Sequence, residues 1–177
     1  MKSNFNFLNP EWSTLANIGE FAEKNLYIDT NTSLIKLRIL AENIAKLILK
    51  EESLLDPEIK NQVDRIKILK REGLIENEIE QLFHSIRIIG NKATHESSYS
   101  PTFNDTDIYL SMAVKLSAWF KEVYGRDLTF NIENVIYKTP EKFELTSDYE
   151  KIKLENEKLI RDFKELTEAN KSLRTKE

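Results

Sequence analysis

Leu34, Leu37, Ala41, Ile44 and Ile48 recur at intervals of three and four, and Ile35, Leu40 and Leu47 widen that stripe beyond the face a surface helix needs. Only a helical period stacks such positions on one side, and a stripe this broad requires partners on more than one flank. The segment from Asp29 or Thr30 to about Lys50 is therefore expected to be the central helix of an all-α bundle. Four more segments share its period. One spans about Glu11 to Leu26, with Asn9-Pro10 as a capping start, Trp12, Leu15, Ala16, Ile18 and Phe21 in phase, and Phe5, Phe7 and Leu8 stapling it to the body. Another follows the cap Asp56-Pro57, turns Ile59, Val63, Ile66 and Leu69 inward and stops at Gly73. A third begins at Glu76 or Asn77 and carries Ile79, Leu82, Phe83, Ile86, Ile89 and Ala93 to about His95. After a loop over residues 96–104, Asp105 caps the last, which holds Ile108, Met112, Val114, Leu116, Trp119, Phe120 and Val123 and ends at Gly125.

Short links between five such helices give an antiparallel bundle over residues 1–125. Only four Gly and four Pro in 177 residues weigh against a turn-rich β fold. Over 126–147 the helical period fails. Leu128, Phe130 and Ile132 alternate, and Val135, Ile136 and Tyr137 form a short apolar run, so an irregular linker, two short strands or an extended strap is expected there. From 148 to 177 a different rule operates. Tyr149, Ile152, Asn156, Leu159, Phe163, Leu166, Asn170 and Leu173 keep a heptad spacing, with Ile or Leu at every d position and Asn at two a positions. A buried Asn pair is tolerated best across a two-stranded parallel coil, so Ile152, Asn156, Leu159, Phe163, Leu166, Asn170 and Leu173 are the candidate dimerisation seam. A solvated amphipathic helix packed on its own bundle, or on a downstream domain, is the competing reading.

Charge and residue types narrow the chemistry. The chain has no Cys, which removes disulfides and thiolate nucleophiles, and its two His leave a zinc site little to build from, so no metal or cofactor is expected. A net charge of -4, from 26 basic and 30 acidic residues, argues against nucleic-acid binding by bulk electrostatics and leaves room for a local basic stripe. Neither a membrane-spanning apolar run nor a signal peptide is visible, and a cytoplasmic protein is expected.

One strip carries residues suited to chemistry. On the fourth helix His84, Arg87, Asn91 and His95 fall within about 80° of one another, away from the apolar stripe, with Ile88 beside them. An imidazole that exchanges protons near neutrality, beside a guanidinium that holds phosphate, is what metal-free RNA cleavage requires. The structural alternative is that Asn91 and His95 tie the helix end to the following loop while Arg87 pairs with a carboxylate. Lys60, Arg65, Lys67, Lys70 and Arg71 make the third helix locally basic, a candidate phosphate-touching surface or simply a solvated face. Arg38 to Glu42 and Glu42 to Lys46 are spaced as helical ion pairs. Trp12, Trp119 and Phe120 sit on apolar stripes and are expected in the core.

The stretches LIKLRILAENIAKLI (34–48), LFHSIRIIGNKATHE (82–96) and LSAWF (116–120) together resemble the helical domain of unknown function at the N terminus of type I restriction enzyme R subunits and related DEAD/DEAH-box helicases. The resemblance covers about residues 1–125. That domain is similar to the HEPN superfamily, helical bundles that often dimerise and in some members are metal-independent RNases. HEPN nucleases carry an Arg, a polar residue and then a His, with four to six residues between Arg and His. Aligned on His95, Asn91 matches the polar position, Gly90 stands where the Arg would be, and the nearest arginine, Arg87, has seven residues between it and His95. The resemblance thus implies a non-catalytic accessory module serving dimerisation and docking of DNA, RNA or a partner. A HEPN-type RNase using Arg87, Asn91 and His95 is the alternative, and a coiled-coil adaptor without nucleic-acid contact is the next. Its partners would be a second copy and the nuclease and helicase domains, or restriction-modification subunits, of a parent enzyme, of which the chain would be an N-terminal fragment.

Overall fold

The computed structural model describes residues 2–96 and 98–142, together with Lys158 and Arg161. The chain divides into two units, Met1–Lys142 and Phe143–Glu177. Among the described residues every regular element is helical, and the first unit holds five α-helices: α1 (Ser13–Asn25), α2 (Thr30–Glu51), α3 (Gln62–Arg71), α4 (Asn77–His95) and α5 (Phe103–Tyr124). The expected all-α bundle of five helices is what the chain forms. The candidate coil positions Ile152, Asn156, Leu159, Phe163, Leu166, Asn170 and Leu173 lie outside the described residues.

α2 touches all four other helices, as the breadth of its stripe requires. Leu34, Leu37, Ile44, Ala45, Ile48 and Leu49 are fully excluded from water. Truncating one such leucine costs about 2–5 kcal/mol, through lost transfer energy and the cavity left behind. Its start is fixed by Asp29, whose carboxylate accepts from the Thr32 N–H at 3.2 Å and from the Thr32 hydroxyl at 2.6 Å. Those bonds to the charged form hold the Asp29 carboxyl below its usual range.

Three helix starts differ from expectation, at α3 and α5 because a second cap competes. α1 begins at Ser13, since Asn9 closes a 3-10 turn over Asn6–Leu8 instead of opening the helix. That turn seats Phe5 and Leu8 in the core, the staple expected of them, while Phe21 points to solvent. At α3 Asp56 caps only an isolated turn, accepting from Glu58 N–H at 2.8 Å. The helix waits for Asn61, which takes the Asp64 N–H at 2.9 Å. α5 starts two residues before Asp105, on a capping box in which Thr102 and Asp105 satisfy each other's backbone N–H.

Residues 126–142 form an extended strap with one 3-10 turn at Ile132–Asn134, and they belong to the first unit. Side chains of the bundle hold its main chain: Asn4 bonds both Lys138 N–H and Lys138 C=O, at 3.0 and 2.8 Å, and the Tyr27 hydroxyl donates to Pro140 C=O at 2.8 Å. Lys121, buried on α5, donates to Phe7 C=O at 2.7 Å and lies 3.7 Å from the Glu11 carboxylate. Trp12 stacks at 4.6 Å on the buried Phe120 ring, so the aromatic stripe is core at this end of the bundle, with Trp12 and Trp119 partly covered at its edge. No helix among the described residues is long and apolar enough to cross a membrane.

Candidate functional site: the α2–α4 seam

α4 presents its apolar side, Ile79, Phe83, Ile86 and Ile89, to the core and leaves His84, Arg87, Asn91 and His95 toward its polar flank. α2 packs antiparallel beside it, so that Asn31 meets Tyr99 and Arg38 meets Gly90 and Asn91. Gly90 makes that approach possible. A Cβ built there would lie 2.5 Å from Arg38 Cβ and 3.1 Å from its Cγ and Cδ, so the arginine stem occupies the space a side chain would fill.

Lying across Gly90, Arg38 donates through Nη1 to Asn91 Oδ1 at 2.8 Å. Its Nε sits 3.7 Å from Glu42 Oε1, the expected ion pair, though too far for a hydrogen bond. Glu42 and Lys46 do not form the second pair. Arg87, one turn before Asn91, makes no ion pair or hydrogen bond among the described residues, and its Nε is shielded from water without an acceptor. The carboxylate expected to pair with it is not found among the described residues. Arg38 Nε and Asn31 Oδ1 are likewise buried without a hydrogen bond. This seam therefore holds two guanidinium Nε–H donors without a hydrogen-bond acceptor among the described residues, Arg38 facing the Glu42 carboxylate at 3.7 Å, and water or a ligand can supply one.

The end of α4 is held differently from the structural expectation. His95 is exposed and makes no hydrogen bond among the described residues, and Asn91 turns to α2 rather than to the loop. The loop is instead tied to α2, with the Thr30 hydroxyl donating to Pro101 C=O at 3.0 Å and Asn31 Nδ2 to Tyr99 C=O at 3.1 Å. Lys92 lies 4.5 Å from the Tyr99 ring centroid. His84 is 3.9 Å from Glu80, and Ile88 is 56% exposed between these polar groups, an apolar contact available to a partner.

The basic residues of the third helix are largely engaged. Arg65 is buried and donates to the carbonyls of Ile59 and Lys60 at 3.2 and 3.1 Å, which keeps that stretch out of the helix. Lys70 bonds Asn77 and lies 3.5 Å from Glu80, Arg71 pairs with Glu72 at 2.8 Å, and Lys67 is 4.0 Å from Asp64. Lys60 is exposed and has no such partner among the described residues. No group of three His, Asp or Glu among the described residues is placed to hold a metal ion.

Arg38 is the member of the seam that sequence reasoning missed. Its signal was Gly90, a residue costly inside a helix and hence a mark of close approach by a neighbour. Compared with known proteins, residues 20–162 match the family described as Domain of unknown function (DUF4145). No curated protein and no solved structure matches the chain.

Proposed function

The chain belongs to the DUF4145 family of unknown function, and from that premise we propose that it is a non-catalytic accessory module that docks nucleic acid along the α2–α4 seam. One observation carries this reading: Arg38 bonds Asn91, one helical turn from Arg87, and the Nε atoms of both arginines are buried without a hydrogen bond among the described residues. A planar guanidinium matches the oxygens of a phosphate, as it does those of a carboxylate, through paired N–H donors. Ile88 and the His95 imidazole extend the strip for contacts to sugar or base. The net charge of -4 confines such binding to this local stripe and makes it weak without a second copy or further domains.

Catalysis is disfavoured because Gly90 puts no side chain where an arginine would stand, and Arg87 starts about 12 Å along the helix axis from His95 at 1.5 Å per residue. In line with the resemblance to R-subunit and helicase N-terminal domains, the module would act in the cytoplasm within a restriction-modification or phage-defence enzyme. It would dimerise in parallel through the heptad positions Ile152 to Leu173 and dock DNA or RNA beside its motor domains.

A second reading has its own support. Arg38 places a guanidinium on Asn91, four residues before His95, so an Arg, a polar residue and a His gather across two helices although Gly90 interrupts them on one. That grouping favours a metal-independent RNase as the alternative. Binding of single-stranded RNA and duplex DNA across a salt series separates the classes, since phosphate contacts give a negative salt slope. Arg87→Ala is expected to flatten the slope by about one and weaken all sequences alike. A chain with no salt-dependent binding would be the adaptor of the third reading. Cleavage of RNA in chelator, lost in His95→Ala and Arg38→Ala, would establish the RNase.

A further inference from the structure

The strap and the N-terminal segment line an open cleft of about 630 Å³ that shares no residue with the α2–α4 seam. Its volume falls within the range of small-molecule sites. Phe7 and Phe130 contribute an aromatic wall, their ring centroids 5.6 Å apart and tilted by 33°. Lys121 fixes both, since its ammonium donates to Phe7 C=O at 2.7 Å and lies 5.3 Å from the Phe130 centroid. The wall is thus preorganised by a buried cation rather than held by loop packing alone.

Around that wall stand carboxamides with spare capacity. Asn6 and Asn134 make no side-chain hydrogen bond among the described residues, and Asn131 uses only its Oδ1, on Glu133 N–H at 2.7 Å. Asn4 differs, being committed to Glu23 and to the Lys138 main chain, which fixes the cleft's width. Lys2 and Lys138 line the same cleft, and neither ammonium has an ion-pair partner among the described residues. Asp127 is held toward Thr129, whose N–H and hydroxyl it accepts at 3.0 and 2.6 Å.

We propose that this cleft binds a nucleotide, with the base against Phe7 and Phe130, the Asn6 and Asn134 amides on its polar edge, and Lys2 and Lys138 on the phosphate. The chemistry follows from the parts. Stacking is available to every base, and a carboxamide offers a donor beside an acceptor, the pattern that base edges present. Two unpaired ammonium groups suit the anionic end, and the Asp127 carboxylate can accept from a ribose hydroxyl. The same chemistry is offered by a free mononucleotide and by one base of a single strand, and the two sources are separable by experiment.

The test is amide chemical-shift mapping of the full chain titrated with adenosine and uridine monophosphates, with a single-stranded tetranucleotide, and with inorganic phosphate. Shifts centred on Asn6, Phe7, Phe130 and Asn134 are expected, with phosphate alone binding at least about tenfold more weakly. Affinity for the mononucleotide points to a free nucleotide, and affinity for the tetranucleotide alone points to a strand. Asn6→Ala combined with Asn134→Ala should weaken binding about tenfold while leaving the melting temperature unchanged, because both side chains are exposed and unbonded. Lys2→Ala combined with Lys138→Ala should flatten the salt dependence. The proposal is overturned if none of the nucleotides shifts these amides, if phosphate alone binds as well as a nucleotide, or if the asparagine variant binds unchanged. Because these readouts lie in the strap, they stand or fall independently of Arg38, Arg87 and His95.

Discussion

Arg38 and Asn91 are 53 positions apart and joined by one hydrogen bond of 2.8 Å, and the residue that permits it is neither of them but Gly90. Replacing a helical glycine by alanine ordinarily stabilises by about 1 kcal/mol, because the unfolded chain loses freedom and the helix gains propensity. Here the sign should reverse. The new methyl would meet Arg38 Cβ at 2.5 Å, an atom tied to the α2 backbone, so the helices must separate. Gly90→Ala is expected to cost about 1–3 kcal/mol in denaturant unfolding, as overpacked cores do. Arg38→Ala in the same chain should not restore the loss, since alanine keeps the Cβ. A Gly90→Ala protein as stable as the parent would mean the α2–α4 approach is looser than described.

The ends of α2 and α3 offer a matched pair. Each closes with a bond from five residues on, Leu54 N–H to Leu49 C=O at 2.7 Å and Leu74 N–H to Leu69 C=O at 2.9 Å. The residue between must turn left-handed in both. α3 uses Gly73 at φ 70°, whereas α2 forces Ser53 to φ 57°. A side chain there costs about 1 kcal/mol that glycine does not incur. Ser53→Gly is therefore expected to raise stability by roughly 0.5–1 kcal/mol, measured by urea unfolding with an unchanged m-value. The hydroxyl makes no hydrogen bond among the described residues that would offset the gain.

Helix identity was legible in the sequence because it depends on period, and α2 announced its central place by the width of its stripe. The starts of α3 and α5 were less legible because two caps lay close together at each, Asp56 against Asn61 and Asp105 against Thr102, and local chemistry alone does not rank them. At α3 the decision belongs to Arg65, whose bonds to Ile59 and Lys60 carbonyls hold the earlier turn open, a tertiary effect. The polar strip of α4 could be read from one helix, since Arg87, Asn91 and His95 share a face by spacing. Its completion by Arg38 could not, because that side chain already had a plausible partner in Glu42 four residues away. The cleft was invisible for the same reason: Asn6 and Asn134 are unremarkable polar residues until the strap returns across the N-terminal segment.

Alkaline pH should loosen the strap before it unfolds the bundle. The Tyr137 hydroxyl donates to Asp107, and Thr139 Oγ1 donates to the other oxygen of the same carboxylate at 2.8 Å. Burial first, and then the bond to the Asp107 carboxylate, push the Tyr137 hydroxyl well above its ordinary value of 10.0. Burial together with Glu52 does the same to Tyr124 on α5. Both groups are neutral when protonated, so a raised value in the folded chain means that folding favours the protonated form. The stabilising contribution is complete below pH 10 and is lost as the pH climbs above it, because the unfolded tyrosine ionises where the folded one does not. Tyr137 and Tyr124 are expected to ionise well above the ordinary tyrosine value in an ultraviolet titration, together with a fall in stability. Tyr137→Phe should cost about 1 kcal/mol at neutral pH through the lost hydrogen bond, and should make the decline above pH 10 shallower. If instead the variant declined as steeply as the parent, the strap would owe its alkaline sensitivity to another group.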